Sequence, residues 1–121
     1  MPCLYYGDEA GLSGYRDPFN RCPYPWGQED PELLDWFCEL GALRREFSEL
    51  LANGDYLPVL WNRDLFCFVR RQGNRALLVA VNRGDGPCPL LLPQEPVRVL
   101  LGRADGGQLA GGEGVVFLFE A

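Results

Sequence analysis

At Asn53-Gly54 the apolar residues change their period. Before it, Leu33, Trp36, Phe37, Leu40, Leu43, Phe47 and Leu50 recur at steps of three and four. That spacing draws one apolar stripe along a helix. After it, short apolar segments at 55–61, 64–71, 75–82, 88–92, 96–101 and 114–120 are separated by turn residues. Side chains recur every 3.6 residues in a helix and every two in a strand, so one element cannot carry both patterns. The chain is therefore expected in two parts, 1–52 and 53–121, with the boundary near 52–55.

Local signals sharpen each part. Asp30-Pro31-Glu32 reads as a helix start: Asp caps free N–H groups, Pro fits the first turn, and Glu suits the positive end of the dipole. The helix is predicted to run to about residue 51, closed by a left-handed cap at Asn53-Gly54. Asn62-Arg63 and Gln72-Gly73-Asn74 suit tight hairpins. Six short strands at this spacing predict an antiparallel β-sandwich, Greek-key-like, so the fold class is mostly β. Residues 1–6 (MPCLYY) read as a short buried strand, and 10–29 as a long loop rich in Gly, Pro and aromatics. A loop that long is uncommon in a compact domain unless it is functional or its neighbours lie elsewhere. Strand, loop and helix make one β-loop-α unit, expected to be the last of a larger α/β domain.

Charge and composition exclude several roles. The net charge is −6, from 17 acidic and 11 basic residues, every basic one an Arg. That sign repels phosphate backbones and anionic membrane, whereas a neutral ligand such as a sugar meets no conflict. The 5 cysteines are scattered, none as C-x-x-C, and there is no His, so no metal site and no cofactor is expected. The cysteines read as buried or half-buried thiols of a reducing cytoplasm, with a Cys3–Cys22 bridge left open. No signal peptide and no membrane span is legible, so a cytoplasmic protein is expected.

The stretch YYGDE at 5–9, DPFNR at 17–21 and LRR at 43–45 stand in register with the helix start. Together they closely resemble the end of the catalytic barrel in the α-amylase superfamily of glycoside hydrolases. The nearest branch is neopullulanase, cyclomaltodextrinase and maltogenic amylase. The matching residues are Pro2, Tyr5, Tyr6, Gly7, Asp8, Glu9, Asp17, Pro18, Arg21 and Leu43-Arg44-Arg45. VAVN at 79–82 resembles the family's C-terminal β domain. The resemblance is strong over 1–47 and looser over 54–121.

The resemblance implies a (β/α)8 barrel of which only the last strand, loop and helix fall in 1–52. It implies a retaining mechanism whose Asp nucleophile, Glu acid and stabilising Asp lie on earlier strands, before Met1. A full barrel takes ~250 residues. The carboxylates present do not replace that set. Retention needs two carboxyl groups ~5–5.5 Å apart across one bond, and adjacent Asp8 and Glu9 at a strand end point to opposite faces. No catalytic residue is therefore expected in this chain. By carry-over, Asp17 and Arg21 bind glucose hydroxyls, through charged hydrogen bonds and a forked guanidinium. The bland alternative is that they pair with each other and pin the loop. Tyr6, Gly7 and Glu9 are implied as structural residues of the barrel exit.

The expected function is the C-terminal part of an α-glucan-hydrolysing, neopullulanase-like enzyme. Its β domain would brace the barrel, and the chain alone would be inactive. Such a piece could be a truncated product, half of a split enzyme, or a start assigned within a longer gene. The alternative is a non-catalytic α-glucan-binding or self-association module. Leu33, Trp36, Phe37, Leu40 and Leu43 would then meet the missing barrel portion or a second copy. An α-glucan oligosaccharide is the expected partner of the full-length parent.

Overall fold

The computed structural model describes residues 2–120, in two compact units, Met1–Ala42 and Leu43–Ala121. The first unit holds two short 3-10 turns, Asp8–Ala10 and Phe19–Arg21, and the beginning of helix α1, Pro31–Glu46. Asp30 Oδ1 accepts the N–H of Leu33 at 3.0 Å, the predicted cap. The Asp30 N–H in turn donates to the Ala10 carbonyl at 3.1 Å, tying the first turn to the helix start.

The predicted strand at 1–6 is not formed over its described residues. Leu4, Tyr5 and Tyr6 are exposed, and the chain instead turns at once, Asp8 N–H donating to Tyr5 O at 3.2 Å. The physical reason is partnership: a strand is held by its ladder, and the first unit offers no other strand among the described residues. Met1 lies outside the described residues.

The second unit begins within α1. The predicted single helix breaks at Phe47 (φ −106°, ψ 26°), and α2 follows at Ser48–Asn53. Gly54 does not adopt the left-handed cap. Its backbone is extended (φ −72°, ψ 156°), and its N–H donates to Leu50 O. Glycine is required there by crowding, since a Cβ would lie 2.5 Å from Leu50 O and 2.8 Å from Arg71 O.

Seven strands follow: β1 Asp55–Trp61, β2 Leu65–Gln72, β3 Arg75–Asn82, β4 Cys88–Pro89, β5 Arg98–Leu101, β6 Gln108–Leu109 and β7 Gly114–Glu120. Five make one antiparallel sheet in the order β1-β2-β3-β7-β5, and β4 pairs with β6. Asn62 closes the first hairpin, its Oδ1 accepting the N–H groups of Asp64 and Leu65. The 88–92 segment pairs over only two residues, and β6 emerges from a glycine-rich stretch with no strand pattern.

Each face of the large sheet carries a buried core, although its edge strand β1 is exposed throughout, and these cores give the unit its layers. On one face Leu65, Cys67, Leu78, Ala80, Val115, Phe117 and Phe119 pack with Leu90 and Leu109 from the small sheet side. On the other, Leu77, Val116, Leu118 and Leu101 pack with Phe47 and Leu50 from the helix end. The register explains the split: Leu77 faces Leu118 across the ladder while Leu78 faces Phe117. Helix, sheet and β-ribbon thus form three layers around two cores, the mostly β architecture that the strand spacing predicts.

Candidate functional site

The candidate site is the loop from Tyr5 to Trp26 in the first unit. Its first corner is built on glycine. Gly7 is buried with φ +87°, and a Cβ there would fall 2.7 Å from Leu12 Cδ2. Only glycine satisfies both the left-handed backbone and the close side chain. Both carboxylates beside it turn inward to the backbone: Asp8 Oδ2 accepts the Tyr5 N–H at 2.9 Å, and Glu9 Oε2 accepts the Gly7 N–H at 3.1 Å. The expected alternation of Asp8 and Glu9 across a strand end does not occur, because residues 8–10 form a 3-10 turn.

The two tyrosines hold the far side of the loop. Tyr6 Oη donates to Cys22 O at 2.7 Å and Tyr5 Oη to Asn20 O at 3.3 Å, with the rings 4.7 Å apart. Burial pushes the Tyr6 phenol above its ordinary value, followed by its neighbours Tyr5 and Cys22. Tyr24 is pushed the same way by burial, then by the charges of Glu9 and Glu29 and a hydrogen bond with the Glu9 carboxylate. Glu9 thus serves the Gly7 corner and the Tyr24 ring together.

Asp17 and Arg21 meet as an ion pair at 3.3 Å, across an i,i+4 step, with both side chains largely exposed. The Asp17–Pro18 peptide is cis. A cleft of about 240 Å³ opens beside them, lined by Tyr5, Tyr6, Asp8, Leu12, Ser13, Gly14, Phe19 and Asn20. Neither Asp17 nor Arg21 lines it. Sequence reasoning missed Leu12, which fills the space beside Gly7; only the absent Cβ of a glycine hints at such a neighbour. The Tyr24 and Trp26 rings lie 4.6 Å apart with their planes tilted by 50°, and Trp26 and Tyr15 stand exposed.

The cysteines differ from the expected buried set. Cys3 and Cys38 are exposed, Cys22 and Cys88 are half-buried and Cys67 is buried, all as free thiols. Among the described residues no group of three His, Cys, Asp or Glu side chains gathers at one place. Among them, too, no helix is long and apolar enough to cross a membrane.

No family model matches the chain. Curated relatives do. Over 96 residues, 70% of this chain, it is 38% identical to the amylopullulanase of Thermoanaerobacter thermohydrosulfuricus, of which the match is 6%. Over 91 residues, 69% of this chain, it is 33% identical to the intracellular maltogenic amylase of Bacillus subtilis (strain 168), of which the match is 15%. The chain thus spans a small part of the relatives it matches. Among solved structures, the debranching enzyme of Nostoc punctiforme superposes with a TM-score of 0.77 at 27% identity. That likeness covers 94% of this chain and 25% of that one. A cyclic α-maltosyl-(1→6)-maltose hydrolase from Arthrobacter globiformis gives 0.73 at 27% identity, covering 98% and 26%.

A loop of this sequence, a capped helix and a two-core β unit fit a C-terminal fragment of an α-amylase-family protein. The chain belongs to the α-amylase superfamily and corresponds to the C-terminal part of its amylopullulanase, cyclomaltodextrinase and maltogenic amylase relatives.

Proposed function

We propose that this chain is the C-terminal part of an α-glucan-hydrolysing enzyme, and that its β unit braces a catalytic barrel rather than performing chemistry. The observation that carries the reading is the fate of the carboxylates beside the family motif. Asp8 and Glu9 accept backbone N–H groups of the loop, and Asp17 is paired with Arg21. A general acid and a nucleophile must face one bond from two sides, and these groups are engaged with the chain itself. The likeness to hydrolases over about two thirds of the sequence supports the parent activity.

In this reading 1–52 is the end of the barrel and 53–121 the bracing domain. Asp17 and Arg21 separate from one another to hold sugar hydroxyls in the parent. An exposed ion pair is worth at most about 1 kcal/mol, so a ligand can open it at little cost. Tyr6, Gly7 and Glu9 hold the loop in shape. Along α1, Trp36 and Leu40 stay exposed, and Leu33 and Phe37 are only half-buried. These four side chains are the surface that the missing barrel portion or a second copy would cover. Leu43, assigned to the same face from its spacing, packs instead against the Phe47 and Leu50 core of the second unit.

The test is hydrolysis of maltotriose, γ-cyclodextrin and pullulan by the purified chain. No turnover is expected with any of them. Sustained release of reducing ends, abolished by Asp8→Asn or Asp17→Asn, would overturn the reading.

A further inference from the structure

Of the asparagines, Asn20, Asn62, Asn74 and Asn82 are each followed by Arg, and Asn53 alone is followed by Gly. Asparagine is a thermolabile residue. Its side-chain amide carbon is open to attack by the backbone nitrogen of the next residue, and a Gly there puts no Cβ in the way. The fold does not allow that Gly to be exchanged. A Cβ on Gly54 would lie 2.5 Å from Leu50 O and 2.8 Å from Arg71 O. Packing thus fixes the reactive pair at the point where α2 ends and β1 begins.

The folded backbone holds the two groups apart. Asn53 is the last residue of α2, and the Gly54 N–H donates to Leu50 O at 2.9 Å. Attack needs that nitrogen to be free and turned toward the Asn53 side chain, whereas the hydrogen bond directs it back along the helix. Asn53 itself is exposed, so water reaches it. The helix end is held down at two points. Leu50 is buried in the helix-side core with Leu77, Val116 and Leu118, and Arg70 Nη2 donates to Leu51 O at 2.6 Å.

We propose that Asn53-Gly54 is a deamidation site that the end of α2 keeps closed, so that its conversion records each opening of the helix end from the sheet. In the opened chain the Gly54 nitrogen loses its proton and bonds to Asn53 Cγ. The bond from Cγ to the amide nitrogen breaks, and ammonia leaves. Water then opens the cyclic imide at either carbonyl, giving aspartate, or isoaspartate whose backbone runs through the former side chain. No electrons are exchanged, and water is the sole co-reactant.

The product does not refit. A new carboxylate stands at the negative, C-terminal end of the helix, one turn from Glu49. Isoaspartate also adds a methylene to the backbone ahead of Gly54, which has no room to shift between Leu50 O and Arg71 O. The modified form therefore loses the seat of α2 on the sheet.

The experiment is prolonged incubation of the purified 121-residue chain at neutral pH, folded and in guanidinium chloride. Conversion at each asparagine is read by peptide mass spectrometry and by isoaspartate methyltransferase labelling. Position 53 should convert roughly tenfold or more faster in the unfolded chain, because the folded one must first open. The Asn-Arg positions should lag behind it in both. Arg70→Met, which removes the bond to Leu51 O, should raise the folded-state rate while circular dichroism shows the fold retained. Asn53→Gln, whose longer side chain disfavours the ring, should abolish conversion and leave the urea midpoint nearly unchanged. The isolated isoaspartate form should have a lower urea midpoint. Equal rates in the folded and unfolded chain overturn the proposal, as does no conversion in denaturant. A folded-state rate indifferent to Arg70→Met would show that the helix end is not the gate. An unchanged midpoint of the isoaspartate form would show that the product refits.

Discussion

Asn82 is the most constrained polar side chain of the second unit. It is fully buried, donates through Nδ2 to Gly86 O at 2.8 Å and Leu109 O at 2.9 Å, and accepts the Gly84 N–H at 3.0 Å. It therefore ties the end of β3 to the loop after it and to β6. Asn82→Ala should leave buried carbonyls unpaired and lower stability by about 2–3 kcal/mol, read as a shifted urea midpoint. Cys67 carries a pH dependence. Burial pushes its thiol up, so the folded state holds the proton more tightly than the unfolded chain does. Its contribution is fully present below the unfolded value of about 8.5 and is lost as pH climbs through the higher folded value. The unfolding midpoint should accordingly fall above about pH 9, and Cys67→Ala should flatten that limb while lowering stability overall. At neutral pH, iodoacetamide should label exposed Cys3 and Cys38 before Cys67, a ranking that mass spectrometry can read.

Most elements were legible because their signals are local. The β1 and β3 segments match their predicted bounds, and Asp30 caps α1 as its residue type demands. The elements that sequence reading missed depend on neighbours. β6 has no alternating pattern and exists only through its pairing with β4. The 1–6 segment has the apolar, aromatic composition of a strand and no ladder to join. Phe47 looked like one more turn of a helix, yet it marks the break, where its ring is buried and the Arg75 guanidinium lies 5.2 Å from the ring centroid. Phe47→Ala should cost about 3–5 kcal/mol by opening the helix-side core, and should leave the Leu90–Leu109 side of the sheet intact. Thermal unfolding followed by circular dichroism measures the first, and amide exchange at Leu78 and Phe117 the second.

Two units with separate interiors make separate predictions about unfolding. No residue of α1 is buried, whereas the second unit has two cores on one sheet. Residues 43–121 produced alone should therefore unfold in one cooperative transition with nearly the stability that this unit shows in the whole chain. A loss of more than about 2 kcal/mol would show that the first unit supplies structure to it. The sequence by itself determined where helix gives way to sheet, which residues cap and turn, and the motif by which the loop is known as a family loop. Those follow from the spacing of apolar side chains and from the backbone preferences of Gly, Pro, Asp and Asn, which act over a few residues. Only the tertiary structure decided that Asp17 and Arg21 pair outside the cleft, that Asp8 and Glu9 turn to backbone amides, and that a register shift brings Trp61 beside Phe66. The first two are short-range pairings, over two to four residues, whose partner is chosen by the conformation of the loop, and the third is a single slipped pairing; the spacing of residue types encodes neither choice.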